Sequence, residues 1–188
     1  TTIVELQDQV LPPLDREMTE PILRTLQKHG IALRLGQSAE AFESDGDDLV
    51  VVLKSGERLK AGLVILGIGV RPESGLAVEA GLDVGPRGGI RVDAHMRTSD
   101  PDIYAVGDAV EVTGFVSGAP TQVPLAGPAN RQGRIAADNI FGRESVYRGT
   151  QGTAIIGVFE TTAAATGETE KTLQRAGRDY RKVYIHPN

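Results

Sequence analysis

Asp108 follows Gly107 at the end of a short apolar run, Ile103 to Val106, which itself follows the turn-forming pair Asp100-Pro101. The run is of strand type, so the carboxylate is expected at the carboxyl end of a strand, where ligands bind in open α/β sheets. A glycine there lets backbone approach a ligand closely. An ionised carboxylate can accept hydrogen bonds from two hydroxyls, which suits a sugar or ribitol chain. The same residues also describe a strand that ends in an aspartate-capped turn.

Glu5 ends a second β-type run, Thr2 to Leu6. In a dinucleotide-binding βαβ unit an acidic residue at the end of the second strand binds the adenosine ribose hydroxyls, about 20 residues after a glycine fingerprint. That fingerprint is not in the chain, and taken alone Glu5 reads as a solvated strand-end residue. Gly67 and Gly69, in Gly67-Ile68-Gly69-Val70-Arg71-Pro72, would let backbone meet a flat ligand or simply form a loop leaving a strand. The chain has no cysteine. Disulfides, thiolate metal sites and cysteine nucleophiles are therefore excluded from these residues. His95 has no second ligand at metal-binding spacing, and His29 sits where a helix C-terminus favours positive charge, so no metal site is expected.

These residues need elements to hold them. Pro12, Pro13 and Asp15 make a helix entry, and Met18, Ile22 and Leu26 recur at helical spacing with Leu23 beside them up to Gly30. Pro21 implies either a start near Pro21 or an irregular first turn. Ile31, Leu33 and Leu35 alternate as a strand. Leu49–Leu53 and Arg58–Leu66 read as strands around the Ser55-Gly56 turn, after a polar turn at Asp45–Asp48. The continuously apolar Leu63–Leu66 suits a central strand buried on both faces. Gly75–Gly81 is a short helix and Ile90–Val92 a strand. Beyond Asp108 a loop rich in Gly, Ser, Thr and Pro runs to Val123, and a helix spans about Gly127 to Phe141 with its positive dipole end near Leu125 and Ala126. Gly152–Phe159 is β-type, Thr161–Gly167 small and polar, Glu168–Ala176 helical and Lys182–Ile185 another strand. The chain stops at His186-Pro187-Asn188 without a cap, and both ends read as stopping in mid-element.

The 188 residues could hold one domain or pieces of two. A net charge of -5 and the absence of a long basic run argue against nucleic acid or an anionic membrane as partner. No apolar run approaches the roughly 20 residues needed to span a bilayer. A soluble, cytoplasmic protein is expected. The 23 glycines and ten prolines cluster at the ends of apolar runs and mark turns rather than a repeat.

The eleven residues Thr98 to Asp108 resemble the second FAD-binding motif of the pyridine nucleotide-disulfide oxidoreductases. With Gly69-Val70-Arg71-Pro72 before it and Val123 to Asn139 after it, the order and spacing are similar to that family, most closely to its coenzyme A-disulfide reductase and NADH oxidase branch. The resemblance implies an α/β fold made of partial FAD/NAD(P)-binding Rossmann-like domains of the three-layer type, plus the start of an α+β dimerisation domain. Residues 1–71 would be the C-terminal part of the NAD(H) domain, 72–146 that of the FAD domain, and 147–188 an incomplete dimerisation domain. Gly107 and Asp108 would meet the flavin ribityl or pyrophosphate, while Pro124, Leu125 and Ala126 would lie at the flavin edge. Glu5 and Gly69 would face NAD(H), with Glu5 favouring NADH by repelling a 2′-phosphate.

In such an enzyme hydride passes from NAD(P)H through FAD to coenzyme A disulfide, a persulfide or oxygen, in a homodimer. The redox cysteine, the FAD fingerprint and the NAD fingerprint of the family are not in this chain. No catalytic residue is therefore expected here, nor stoichiometric binding of FAD or NAD by these residues alone. Two functional classes stand: part of an FAD- and NADH-dependent oxidoreductase, which the resemblance favours, or a catalytically silent binding or assembly module.

Overall fold

A computed structural model describes residues 1–185. In chain order its elements are β1 (Thr2–Glu5), α1 (Arg16–Lys28), β2 (Ala32–Leu35), β3 (Ala39–Asp45), β4 (Asp48–Leu53), β5 (Arg58–Ala61), α2 (Gly75–Glu79), β6 (Ile90–Arg91), β7 (Val110–Thr113), β8 (Pro120–Thr121), α3 (Ala126–Ile140), β9 (Ala154–Val158), β10 (Thr161–Ala165) and α4 (Glu170–Arg175). The chain divides into two compact units. One comprises Thr1–Ile68 and Ile155–Ala165 with the chain from Thr169 onward; the other comprises Gly69–Ala154 with Thr166–Glu168.

In the first unit β1 and β2 run parallel, in register from Thr2 opposite Ala32 to Glu5 opposite Leu35. Parallel neighbours need a crossover, and α1 supplies it. Its apolar face buries Ile22 and Leu26 against Val10, with Ile3, Leu33 and Leu35 packed beside them. At about 1.5–3 kcal/mol for each fully buried aliphatic side chain, this face is what seats the helix. The helix starts at Arg16 and continues through Pro21. Gly30, at φ 70°, closes it in the left-handed conformation that glycine adopts without penalty. Strands β3, β4 and β5 form an antiparallel meander, with Val50, Val51 and Leu53 of the central strand buried. The β9–β10 hairpin lies against α1. Asp15, the N-cap residue of α1, makes no side-chain cap on its own helix. Instead its carboxylate accepts the Glu170 N-H at 3.0 Å and the Lys171 N-H at 3.4 Å at the start of α4.

In the second unit β6 pairs parallel with β7, and β7 antiparallel with β8. Helix α3 packs Ile135 and Ala136 into a core with Met96, Val110, Val112 and Tyr147. Glu111, buried on β7, faces Arg91 across the pair, with Arg91 Nε 3.4 Å from Glu111 Oε1.

Several expected elements differ. Leu63–Leu66 forms no strand, and Ile65 is 84% exposed. An apolar run becomes a strand only where a neighbour takes its N-H and C=O groups, and none of the described strands pairs with this one. Ile103–Val106 likewise keeps a single bridge, Tyr104 to Arg97, with Ile103 and Val106 open to solvent. Lys182–Ile185 is irregular. Conversely β7, β8 and β10 occupy segments expected to be polar or loop, and β3 a segment to which no element was assigned. The uncapped end expected at His186–Asn188 lies outside the described residues.

Candidate functional site

Asp108 stands in a turn that leads into β7, and not at the end of a strand as its sequence context predicts. Because Ile103–Val106 lacks a ladder, the carboxylate is carried by the entry to β7 and by α3. The carboxylate is exposed. Gly107 has φ 91°, a conformation that favours glycine, and a Cβ added there would meet nothing within 4 Å. Its N-H donates to the side-chain oxygen of Gln132 on α3 at 2.7 Å, and Gln132 is only 2% exposed. The turn is thereby tied to the body of the helix. Gln132 carries no signal in the sequence beyond its place in a helical stretch, because a glutamine there would ordinarily be assigned to the solvent side.

The first turn of α3 follows Pro124 and Leu125 directly. Leu125 is the N-cap, with extended backbone at φ -135° and ψ 140°, and no side chain caps the helix. The first N-H groups of a helix have no partner within it, and they carry its positive end. The start of α3 can therefore stabilise negative charge or an electron-rich carbonyl edge. Beside it lies a cleft of about 490 Å³, walled by Gly127, Pro128 and Arg131 of α3 and by Phe115, Arg148 and Thr150. Two guanidinium groups and no carboxylate line it, so its charge matches that of the helix end. Gly107, Asp108, Pro124, Leu125 and Ala126 thus belong to one unit, with α3 as their common support.

Glu5 belongs to the other unit. It ends β1 opposite Leu35, and its Oε1 accepts the Gln7 N-H at 2.8 Å, which closes the turn after the strand. Gly69 has φ 94° with open space on its Cβ side, in a segment without regular structure. His29 donates from Nδ1 to the Thr25 carbonyl at 3.0 Å, and His95 Nδ1 donates to the Ser145 carbonyl at 3.1 Å. Among the described residues no group of three His, Asp or Glu side chains could hold a metal ion, and no helix is long and apolar enough to cross a membrane.

A family model described as pyridine nucleotide-disulphide oxidoreductase matches residues 1–133. The chain belongs to this family. It is 32% identical to an NADH oxidase of Enterococcus faecalis over all of its length and 42% of that protein. It is 34% identical to an NAD(P)H coenzyme A polysulfide/persulfide reductase of Pyrococcus horikoshii, over 98% of this chain and 41% of the other. The reduced CoADR-RHD protein of Bacillus anthracis superposes with a TM-score of 0.91 at 47% identity, over 96% of this chain and 32% of that one. The fold is thus the mixed α/β, Rossmann-like fold of these oxidoreductases, seen in part. The chain spans about two fifths of the length of the curated relatives it matches.

The residues present fit the flavin that the family implies. An exposed carboxylate beside an open glycine provides acceptors for hydroxyls. An uncapped helix start provides donors for an electron-rich ring edge.

Proposed function

We propose that this chain is part of a cytoplasmic, homodimeric, FAD- and NAD(P)H-dependent oxidoreductase that reduces a small disulfide-type acceptor such as coenzyme A disulfide or a persulfide. In this reading residues 1–71 belong to the NAD(H) domain, 72–146 to the FAD domain and 147–188 to the dimerisation domain. The observation that carries the proposal is the support of the Gly107-Asp108 turn by α3, the same helix whose uncapped start follows Pro124 and Leu125.

When bound, the flavin would supply the hydride relay between nicotinamide and acceptor. The residues of this chain bind and orient. Asp108 accepts hydrogen bonds from ribityl hydroxyls, and Gly107 leaves room for the chain that carries them. Leu125 and Ala126, with Pro124 setting their approach, present amides and helix charge to the ring edge that becomes electron-rich on reduction. Glu5 accepts hydrogen bonds from the adenosine ribose of the nicotinamide cofactor and disfavours a 2′-phosphate, while Gly69 lets backbone approach that cofactor. Oxygen as the acceptor is a second reading, supported by the likeness to an NADH oxidase.

The test uses a chain extended to the length of its relatives. It should purify yellow, bleach with NADH under anaerobic conditions and reoxidise with the acceptor, whereas a colourless protein that takes up no FAD would sink the proposal. Turnover with coenzyme A disulfide against turnover with oxygen separates the two acceptors.

A further inference from the structure

We infer that Gln132 is a positioning residue for the flavin site, acting through Gly107; the inference rests on the reading of Asp108 as a flavin ligand. Gln132 is 2% exposed and lies on the face of α3 that also carries Ile135 and Ala136, three and four residues on, both in the apolar core. Packing alone would favour an aliphatic residue there, since a buried amide is costly unless its hydrogen bonds are made. Its side-chain oxygen makes a short bond, accepting the Gly107 N-H at 2.7 Å.

Gly107 needs such a bond. Glycine explores more backbone conformations than any other residue, and this one sits at φ 91°. The segment before it is held by the bridge at Tyr104 and the chain after it by the Ile90 N-H on the Ala109 carbonyl at 2.8 Å, while the contact to the Gly107 carbonyl itself, from the Val110 N-H, is long at 3.4 Å. Gln132 thus supplies the side-chain hydrogen bond to Gly107 itself, inside the turn that presents Asp108. It also lies six residues beyond Ala126, about 9 Å along the axis of the same helix. One rigid element therefore fixes both the amide end aimed at the ring edge and the carboxylate aimed at the hydroxyls.

The experiment compares parent, Gln132→Leu and Asp108→Ala enzymes of full length, stripped of FAD and titrated with it. Hydrogen exchange at the Gly107 amide and melting of the FAD-free proteins are read alongside. Gln132→Leu is expected to weaken FAD binding about tenfold and to speed exchange at Gly107. It should leave the FAD-free melting temperature unchanged or raised, because leucine suits the apolar neighbours. FAD affinity within twofold of the parent, together with a clear loss in Asp108→Ala, overturns the role of Gln132 and leaves the flavin reading intact. Unchanged affinity in Asp108→Ala overturns the flavin reading and this inference with it. Weakened binding that merely tracks a fall in FAD-free stability, without a change at Gly107, also overturns it. Should Gln132→Leu fail to fold, exchange in the FAD-free parent decides: a protected Gly107 amide upholds the restraint, and exchange at the rate of an open loop overturns it.

Discussion

His29 lies flat against Phe159, with ring centroids 3.8 Å apart and planes 9° from parallel. The contact joins the C-terminal end of α1 to the tip of the β9–β10 hairpin, where Lys28 also meets Glu160 at 2.6 Å. Aromatic pairs of this kind contribute about 0.5–1.5 kcal/mol beyond burial. Phe159→Ala should lower stability by about that amount, and a double-mutant cycle with His29→Ala should return a coupling of the same size. Phe159 also has φ 51°, a strained conformation for a non-glycine residue. Phe159→Gly loses the ring but relieves the strain, so its urea midpoint should lie above that of Phe159→Ala.

Glu17 gives a prediction in pH. Its carboxyl is held down to about 2, first by the hydroxyl of Tyr184, then by backbone hydrogen bonding, with Lys182 adding to the effect. A carboxylate whose value falls on folding stabilises the fold above its ordinary value near 4.5, and that contribution is lost as pH drops through about 2. The segment around Tyr184 should therefore loosen between about pH 4.5 and pH 2, seen as faster hydrogen exchange there than at the β3–β5 meander. Glu17→Gln should loosen the segment at neutral pH and flatten the pH dependence.

Lys171 reaches from α4 into the loop before α1. Its ammonium donates to Gln9 Oε1 at 2.7 Å and to the carbonyls of Leu14 at 2.8 Å and Pro12 at 3.0 Å. Lys171→Met keeps the stem and takes the ammonium donor from these acceptors, of which Leu14 keeps Gln9 Nε2 at 3.0 Å, and should cost about 1–3 kcal/mol in chemical unfolding. Equal stability of the two proteins would show that water replaces the ammonium.

Glu5 is the specificity prediction. In the full-length enzyme Glu5→Ala should raise the kcat/KM ratio of NADPH to NADH about tenfold, equivalent to about 1.4 kcal/mol, by removing a charge that opposes the 2′-phosphate. Because Glu5 also closes the turn at Gln7, Glu5→Gln is the control that keeps that bond while removing the charge. A ratio unchanged in both variants would remove Glu5 from the nicotinamide cofactor site.

Parts of this architecture are written locally. The periodicity of Ile22 and Leu26 and the terminating Gly30 mark α1, and the alternation of Ile31, Leu33 and Leu35 marks β2. Helix α3 is also visible, from Pro128 in its first turn to Gly142 after it. Other parts depend on partners far along the chain. Ala39–Asp45 carries four carboxylates and hydroxyls in seven positions and becomes a strand because β4 pairs with it from Asp48 back to Leu53. Val110–Thr113 hides its burial behind Glu111, whose charge is offset by Arg91 on the neighbouring strand. Leu63–Leu66 shows the converse, since strand composition without a pairing edge yields no strand. For the candidate site, an exposed Asp108 beside Gly107 and the start of α3 are legible, but the tie through Gln132 is a tertiary fact and leaves no pattern in the sequence.

The Asp15 carboxylate that caps α4 acts across 155 residues of chain. A contact of such high sequence separation carries a large loop-closure cost and slows folding of the unit that depends on it. At synthesis rates of about 5–20 residues per second, Asp15 waits roughly 8–30 s for its partners on α4. For most of that interval the face of α1 later covered by the β9–β10 hairpin is exposed on the nascent chain, which makes it open to aggregation until Ala165 emerges.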